Sequence, residues 1–108
     1  MIVGVYSLEL YLPGAHSLKD KRQVLRRLKD RMRARHNVSV AETSDYQELW
    51  QRAGITVAAV ADGRDALERL FEAVYKLAVS EVPGDVMEGG ADYLETGESG
   101  AAMDGDWS

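Results

Sequence analysis

Residues 2–14 read Ile2-Val3-Gly4-Val5-Tyr6-Ser7-Leu8-Glu9-Leu10-Tyr11-Leu12-Pro13-Gly14. Tyr6, Leu8, Leu10 and Leu12 fall on one side of this run. Val3, Val5, Ser7, Glu9 and Tyr11 fall on the other. A period of two with one strongly apolar side is the pattern of a half-buried strand. Pro13-Gly14 ends it. The period then changes. Ser17-Leu18-Lys19-Asp20 reads as a helix start, with Ser17 as N-cap and Asp20 in the first turn. Leu18, Val24, Leu25, Leu28 and Met32 give a helical apolar stripe over residues 17–35. Asn37 is a plausible stop, and His36 suits the negative end of the helix dipole.

The same alternation of periods returns further on. Residues 38–42 are a short alternating strand, followed by a turn at Ser44-Asp45 and a connector over 46–48. Strand character resumes near Leu49 and runs to Ala61. Leu49, Ala53, Ile55, Val57 and Ala59 share one side, and Trp50, Arg52, Thr56 and Val60 the other. Asp62 is the expected N-cap of a second helix, whose stripe is Leu67, Leu70, Phe71, Val74, Leu77 and Ala78. Pro83-Gly84 breaks it. Residues 85–94 give the weakest pattern: Val86, Met87, Tyr93 and Leu94 point to a final strand that Gly89-Gly90 interrupt.

The order is β-α-β-β-α-β. Right-handed crossovers then predict an α+β, ferredoxin-like fold. It has a four-stranded antiparallel sheet of order 4-1-3-2, with two helices on one face. The other face would be open, carrying Val3, Val5, Tyr11, Trp50, Thr56 and Val60. Residues 1–94 are expected to form this one domain. Residues 95–108, made of Gly, Ser, Ala, Thr and acids around Met103 and Trp107, are expected to be a disordered acidic tail.

A chain of 108 residues holds one domain's core. It has no cysteine, which excludes disulfides, thiolate metal sites and a cysteine nucleophile. No apolar run approaches the ~20 residues of a membrane span. The first residues lack the charged region and cleavage site of a signal peptide. A cytoplasmic domain with no membrane partner is therefore expected.

The net charge of −5 hides an asymmetry. Residues 81–108 hold eight acids and no Lys or Arg, so residues 1–80 carry 13 basic against 10 acidic side chains. Nine of the basic residues lie between Lys19 and Arg35. Local field rather than net charge governs encounter with a polyanion.

Several stretches together resemble one family. They are residues 1–12 with Pro13-Gly14, then Ser17-Leu18-Lys19-Asp20-Lys21-Arg22, Asn37-Val38-Ser39-Val40-Ala41-Glu42, and Leu49-Trp50-Gln51-Arg52-Ala53. In this order and register, over roughly residues 1–94, they resemble the YlxP-like family of small bacterial proteins. The resemblance implies a ferredoxin-like fold. It also implies a role near the small ribosomal subunit, because members are often encoded beside translation initiation and ribosome-maturation factors. It carries over no catalytic residue. The glycine-rich final strand and the acidic tail depart from the family's pattern.

The basic helix is the first candidate site. Lys19, Arg22, Arg26, Lys29 and Arg33 form one stripe beside Leu25, Leu28 and Met32, and Lys21, Arg27, Arg31 and Arg35 flank it. Such a row suits phosphate contact, where each neutralised phosphate releases counterions. The plain alternative is a solubilising face, partly neutralised by the tail or by Glu68 and Glu72. The second candidate is the open sheet face, with Val3, Val5, Tyr11, Trp50 and Val60 as a protein interface. Burial of Trp50 under the connector, or base stacking on its ring, are the other readings. Residues 49–56 do not match the RNA-recognition motif.

His16 and His36 bracket the first helix nearly ~30 Å apart, too far to share a metal or catalytic site. The loop from Leu12 to Ser17 lacks the Cys pair of a copper chaperone and the Arg-bearing glycine cradle of an acylphosphatase. Its backbone N–H groups, with Ser17 and Lys19, could hold an anion, though Ser17 is more simply a cap. No nucleophile–base pair, P-loop or dinucleotide fingerprint is present. The expectation is a non-enzymatic accessory protein, without cofactor or metal, that meets the small ribosomal subunit or its rRNA through its first helix. The alternative is a homodimeric small-molecule-binding or protein-interaction module of ACT-like type.

Overall fold

The computed structural model describes residues 1–43, 46 and 48–96. The elements are β1 (Ile2–Tyr11), α1 (Leu18–Arg35), β2 (Ser39–Glu42), β3 (Arg52–Ala61), α2 (Arg64–Glu81) and β4 (Asp85–Glu95). The strands form one antiparallel sheet in the order β2-β3-β1-β4, the expected 4-1-3-2 read from the other edge. The two long central strands pair from Ile2↔Ala61 to Tyr11↔Arg52.

One apolar cluster forms the core. It takes Tyr6, Leu8 and Leu10 from β1 and Ala53, Ile55 and Val57 from β3, the sides that alternation assigned inward. Against them come Leu25, Leu28 and Met32 of α1 and Leu67, Phe71, Val74, Leu77 and Ala78 of α2. Each fully buried Leu or Phe contributes roughly 1.5–3 kcal/mol. These eight helical residues follow the stripes that fix which side of each helix turns to the sheet.

Ser17 caps α1 as expected. Its hydroxyl accepts a hydrogen bond from Asp20 N at 3.1 Å, while the Asp20 carboxylate accepts from His16 N at 3.0 Å. The pair satisfies one N–H of the helix's first turn, that of Asp20, and ties the residue before the cap to it. The second helix differs from expectation. Its N-cap is Gly63 rather than Asp62, with no side-chain cap bond. β3 runs on to Ala61, so Asp62 and Gly63 are the whole link, and Asp65 supplies the first-turn charge.

The third strand begins at Arg52, not near Leu49. The carbonyls of Tyr46 and Leu49 accept hydrogen bonds from Lys21 in α1, and are thereby drawn away from a strand ladder. The ladder side resumes where Leu12 N donates to Gln51 O. The fourth strand is present over the expected stretch, glycines included, and reaches Glu95. The register shifts between Ser7 and Leu8, where Ser7 pairs with Gly90 and Leu8 with Glu88, leaving Gly89 as the extra residue. The tail expected over 95–108 lies outside the described residues from 97 onward.

Candidate functional site

Helical geometry places Lys19, Arg22, Arg26, Lys29 and Arg33 within an arc of about 80° on α1. Two contacts locate that arc. Near the C-terminal end of α1, Arg33 donates to Val40 O of β2 at 2.8 Å. Near its N-terminal end, Lys21 lies 3.5 Å from the Glu42 carboxylate at the far end of β2. The helix thus runs along β2 in the opposite direction, with the cation arc on the side of the short edge strand.

The nine cations of α1 divide into two groups. Lys21 pairs with Glu42, Arg31 with Glu81 of α2 at 3.3 Å, and Arg33 with Asp30 at 3.9 Å. The other six, Lys19, Arg22, Arg26, Arg27, Lys29 and Arg35, have no ion pair among the described residues. Lys19, Arg22 and Arg26 are exposed, and Lys29 is half-buried. Arg26, Arg27 and Arg31, with Gln23, Asp30 and Ala34, line a shallow depression on the outer face of the helix. The two α2 acids that the alternative, solubilising reading would use to neutralise this face pair within α2: Glu68 with Arg64 and Glu72 with Lys76.

Lys21 is the residue whose role sequence reasoning missed. It stands in the row of flanking cations, yet it is 2% exposed. Its ammonium donates to Tyr46 O at 2.5 Å and to Leu49 O at 2.9 Å, besides meeting Glu42. It pins the β2–β3 connector to the first turns of α1. A buried cation survives only with such a set of partners. No local motif could have revealed it, because the partners lie 21 to 28 positions away along the chain.

The open-face residues do not form one patch. Val3 pairs with Val60 on β3 and with Leu94 on β4, and Val5 lies beside Ala58. Val60 is 59% and Leu94 65% exposed. Leu94 therefore joins Val3, Val5 and Val60 at one end of the sheet. Tyr11 lies at the opposite end, roughly 27 Å along β1 from Val3. Trp50 is in the connector rather than on the sheet and is 51% exposed. It lines a shallow recess with Glu48, Leu49, Gln51 and Arg52. The Arg52 guanidinium lies 5.1 Å from the centre of the Tyr46 ring, and Tyr46 donates its hydroxyl to Glu9.

A separate aromatic recess lies between α2 and β4. Tyr6 stacks on Phe71 with centroids 5.0 Å apart, and its hydroxyl donates to Glu88 at 2.7 Å. Burial, and next the bond to the Glu88 carboxylate, push the Tyr6 hydroxyl's pKa well above the ordinary tyrosine range. Among the described residues, no three His, Asp or Glu side chains gather as metal ligands. No helix of those residues is long and apolar enough to cross a membrane.

Residues 3–88 match the family described as protein of unknown function, DUF503. The chain belongs to this family. Within DUF503, it is 37% identical to the uncharacterized protein YlxP of Bacillus subtilis (strain 168) over 73 residues, 68% of this chain and 78% of that one. The resemblance to the YlxP-like family read from its motifs therefore stands. Solved structures with a similar backbone course include an antibiotic biosynthesis monooxygenase, at 12% identity and TM-score 0.43, covering 88% of this chain and 98% of that one. Another is a dimeric ferredoxin-like protein of unknown function from Thermobifida fusca YX, at 14% identity and TM-score 0.39, covering 87% and 92%. At that distance neither likeness says anything of this DUF503 member's chemistry.

Proposed function

We propose that this DUF503 member is a non-enzymatic accessory protein of the cytoplasm that binds RNA phosphates through α1. In this reading both helices cover one face of the sheet, and the polyanion is the small ribosomal subunit or its rRNA. The observation that carries the reading is the set of six α1 cations without an ion pair among the described residues, three of them exposed along one arc. Cations held this densely repel one another, and a phosphate backbone relieves that repulsion while releasing its own counterions. The ribosomal subunit enters through the family resemblance.

Co-sedimentation with purified small ribosomal subunits across a salt series tests it. The comparison is wild type against Lys19→Glu/Arg22→Glu/Arg26→Glu, which spares Arg33 because that residue holds the Val40 carbonyl. Wild type should pellet with the subunits at low salt and be released as salt rises. The variant should stay in the supernatant throughout. Wild type that never pellets would remove the ribosomal reading.

Self-association is a second reading, favoured by the row Val60, Val3 and Leu94 across three strands, with Val60 and Leu94 exposed and Val3 half-buried between them. Sedimentation equilibrium would show it as a concentration-dependent mass that Val60→Glu lowers. A constant monomer mass would exclude it over the range measured.

A further inference from the structure

We infer that the nucleic acid suited to this site is a single strand, with one base stacked on Trp50 at the end of the cation arc. The inference rests on the proposed RNA binding and adds the kind of RNA. Lys21 supplies the juxtaposition. Its ammonium sits 2.9 Å from Leu49 O, so the chain places Trp50 immediately after a carbonyl tied to the first turns of α1. Lys19 and Arg22, in the same first turns of α1, are exposed on helix positions about 160° and 100° round from Lys21. Arg26 continues the row one turn further, and Arg33 fixes the arc's far end to β2.

Trp50 is half exposed although its neighbours in the connector are anchored. Lys21 holds Leu49 O, and Gln51 O accepts from Leu12 N at 2.8 Å. The indole is thus presented on a backbone fixed on both sides. Beside it stand the acid Glu48 and Arg52, whose guanidinium pairs with Glu9 at 3.8 Å. Cations that track a phosphate backbone, ending in an anchored aromatic ring, form the combination that binds single strands with little sequence preference. Stacking needs an unpaired base. A duplex keeps its bases inside and meets only the cations.

The test is fluorescence anisotropy of a labelled, unstructured RNA of about ten nucleotides, free and annealed to its complement. Trp50→Ala should weaken binding of the single strand roughly five- to hundredfold. It should leave duplex affinity and the salt dependence of both unchanged, since no phosphate contact is lost. Trp50→Phe should recover part of the loss. Equal affinity of wild type and Trp50→Ala for the single strand, with Arg22→Glu/Arg26→Glu still abolishing it, would overturn the stacking site and leave the phosphate site standing. Absence of binding to either RNA by wild type would overturn both.

Discussion

An ammonium taken out of water must find replacements for its hydration, and Lys21 finds two carbonyls and a carboxylate. Removing it strands those partners under the connector. Lys21→Met should lower stability by about 2–4 kcal/mol in urea unfolding, whereas Lys19→Met on the exposed side should change it by less than about 0.5 kcal/mol. Equal small effects would show that Lys21 is only another surface cation. Tyr6 makes a second residue-scale prediction. Its neutral hydroxyl is favoured in the fold, and an unfolded tyrosine ionises near pH ~10. Its contribution is therefore whole below that pH and is lost as pH rises toward the higher folded value. Melting temperature should fall more steeply for wild type than for Tyr6→Phe between about pH 9 and 11, and parallel curves would contradict this. At this scale the sequence showed local pairings well. Ser17 and Asp20 sit three residues apart, so their capping was legible. The clamp of Lys21 and the Tyr6–Glu88 bond join positions 25 and 82 residues apart, which no local pattern contains.

Among the elements, β4 shows why alternation alone misleads. The bulge at Gly89 adds one residue, so the inward positions switch from Ala91 and Tyr93 to Val86 and Glu88. The strand's apolar residues then look out of phase in the sequence: Val86 and Tyr93 pack against the core, while Met87 and Leu94 are exposed. The bulge also turns Glu88 toward Tyr6, so the glycines that weakened the strand reading are what build that contact. Gly90 has φ +117°, a conformation that side chains resist, and its Cβ would meet no neighbour. Gly90→Ala should cost about 1–3 kcal/mol through backbone strain alone. Gly14→Ala, also in open space and without that φ, is the control and should be near neutral. Equal values for the two would deny the strain. The helices were legible because their stripes are long and uninterrupted. The start of β3 was not, because the residues before Arg52 carry strand-like alternation while Lys21 claims two of their carbonyls.

For the whole molecule, two strand–helix periods were enough to set the topology, since right-handed crossovers leave few alternatives. The charge segregation was equally plain in the sequence. What it did not show is where the cations would lie relative to the sheet. Arg33 and Lys21 answer that by tying α1 along β2, which turns a surface stripe into a row beside an edge strand and its connector. Nor did it show that Trp50 would leave the sheet for that connector, or that Leu94 would complete the apolar end. The central claim is that the exposed cations of α1 neutralise phosphates. The most direct measurement is the slope of log affinity for RNA against log salt, for wild type and for Arg22→Glu/Arg26→Glu of equal melting temperature. The account predicts a steep negative slope for wild type, at about 0.7 per phosphate contacted on a single strand, and a shallower one for the variant. Identical slopes, or a wild-type slope near zero, would contradict it.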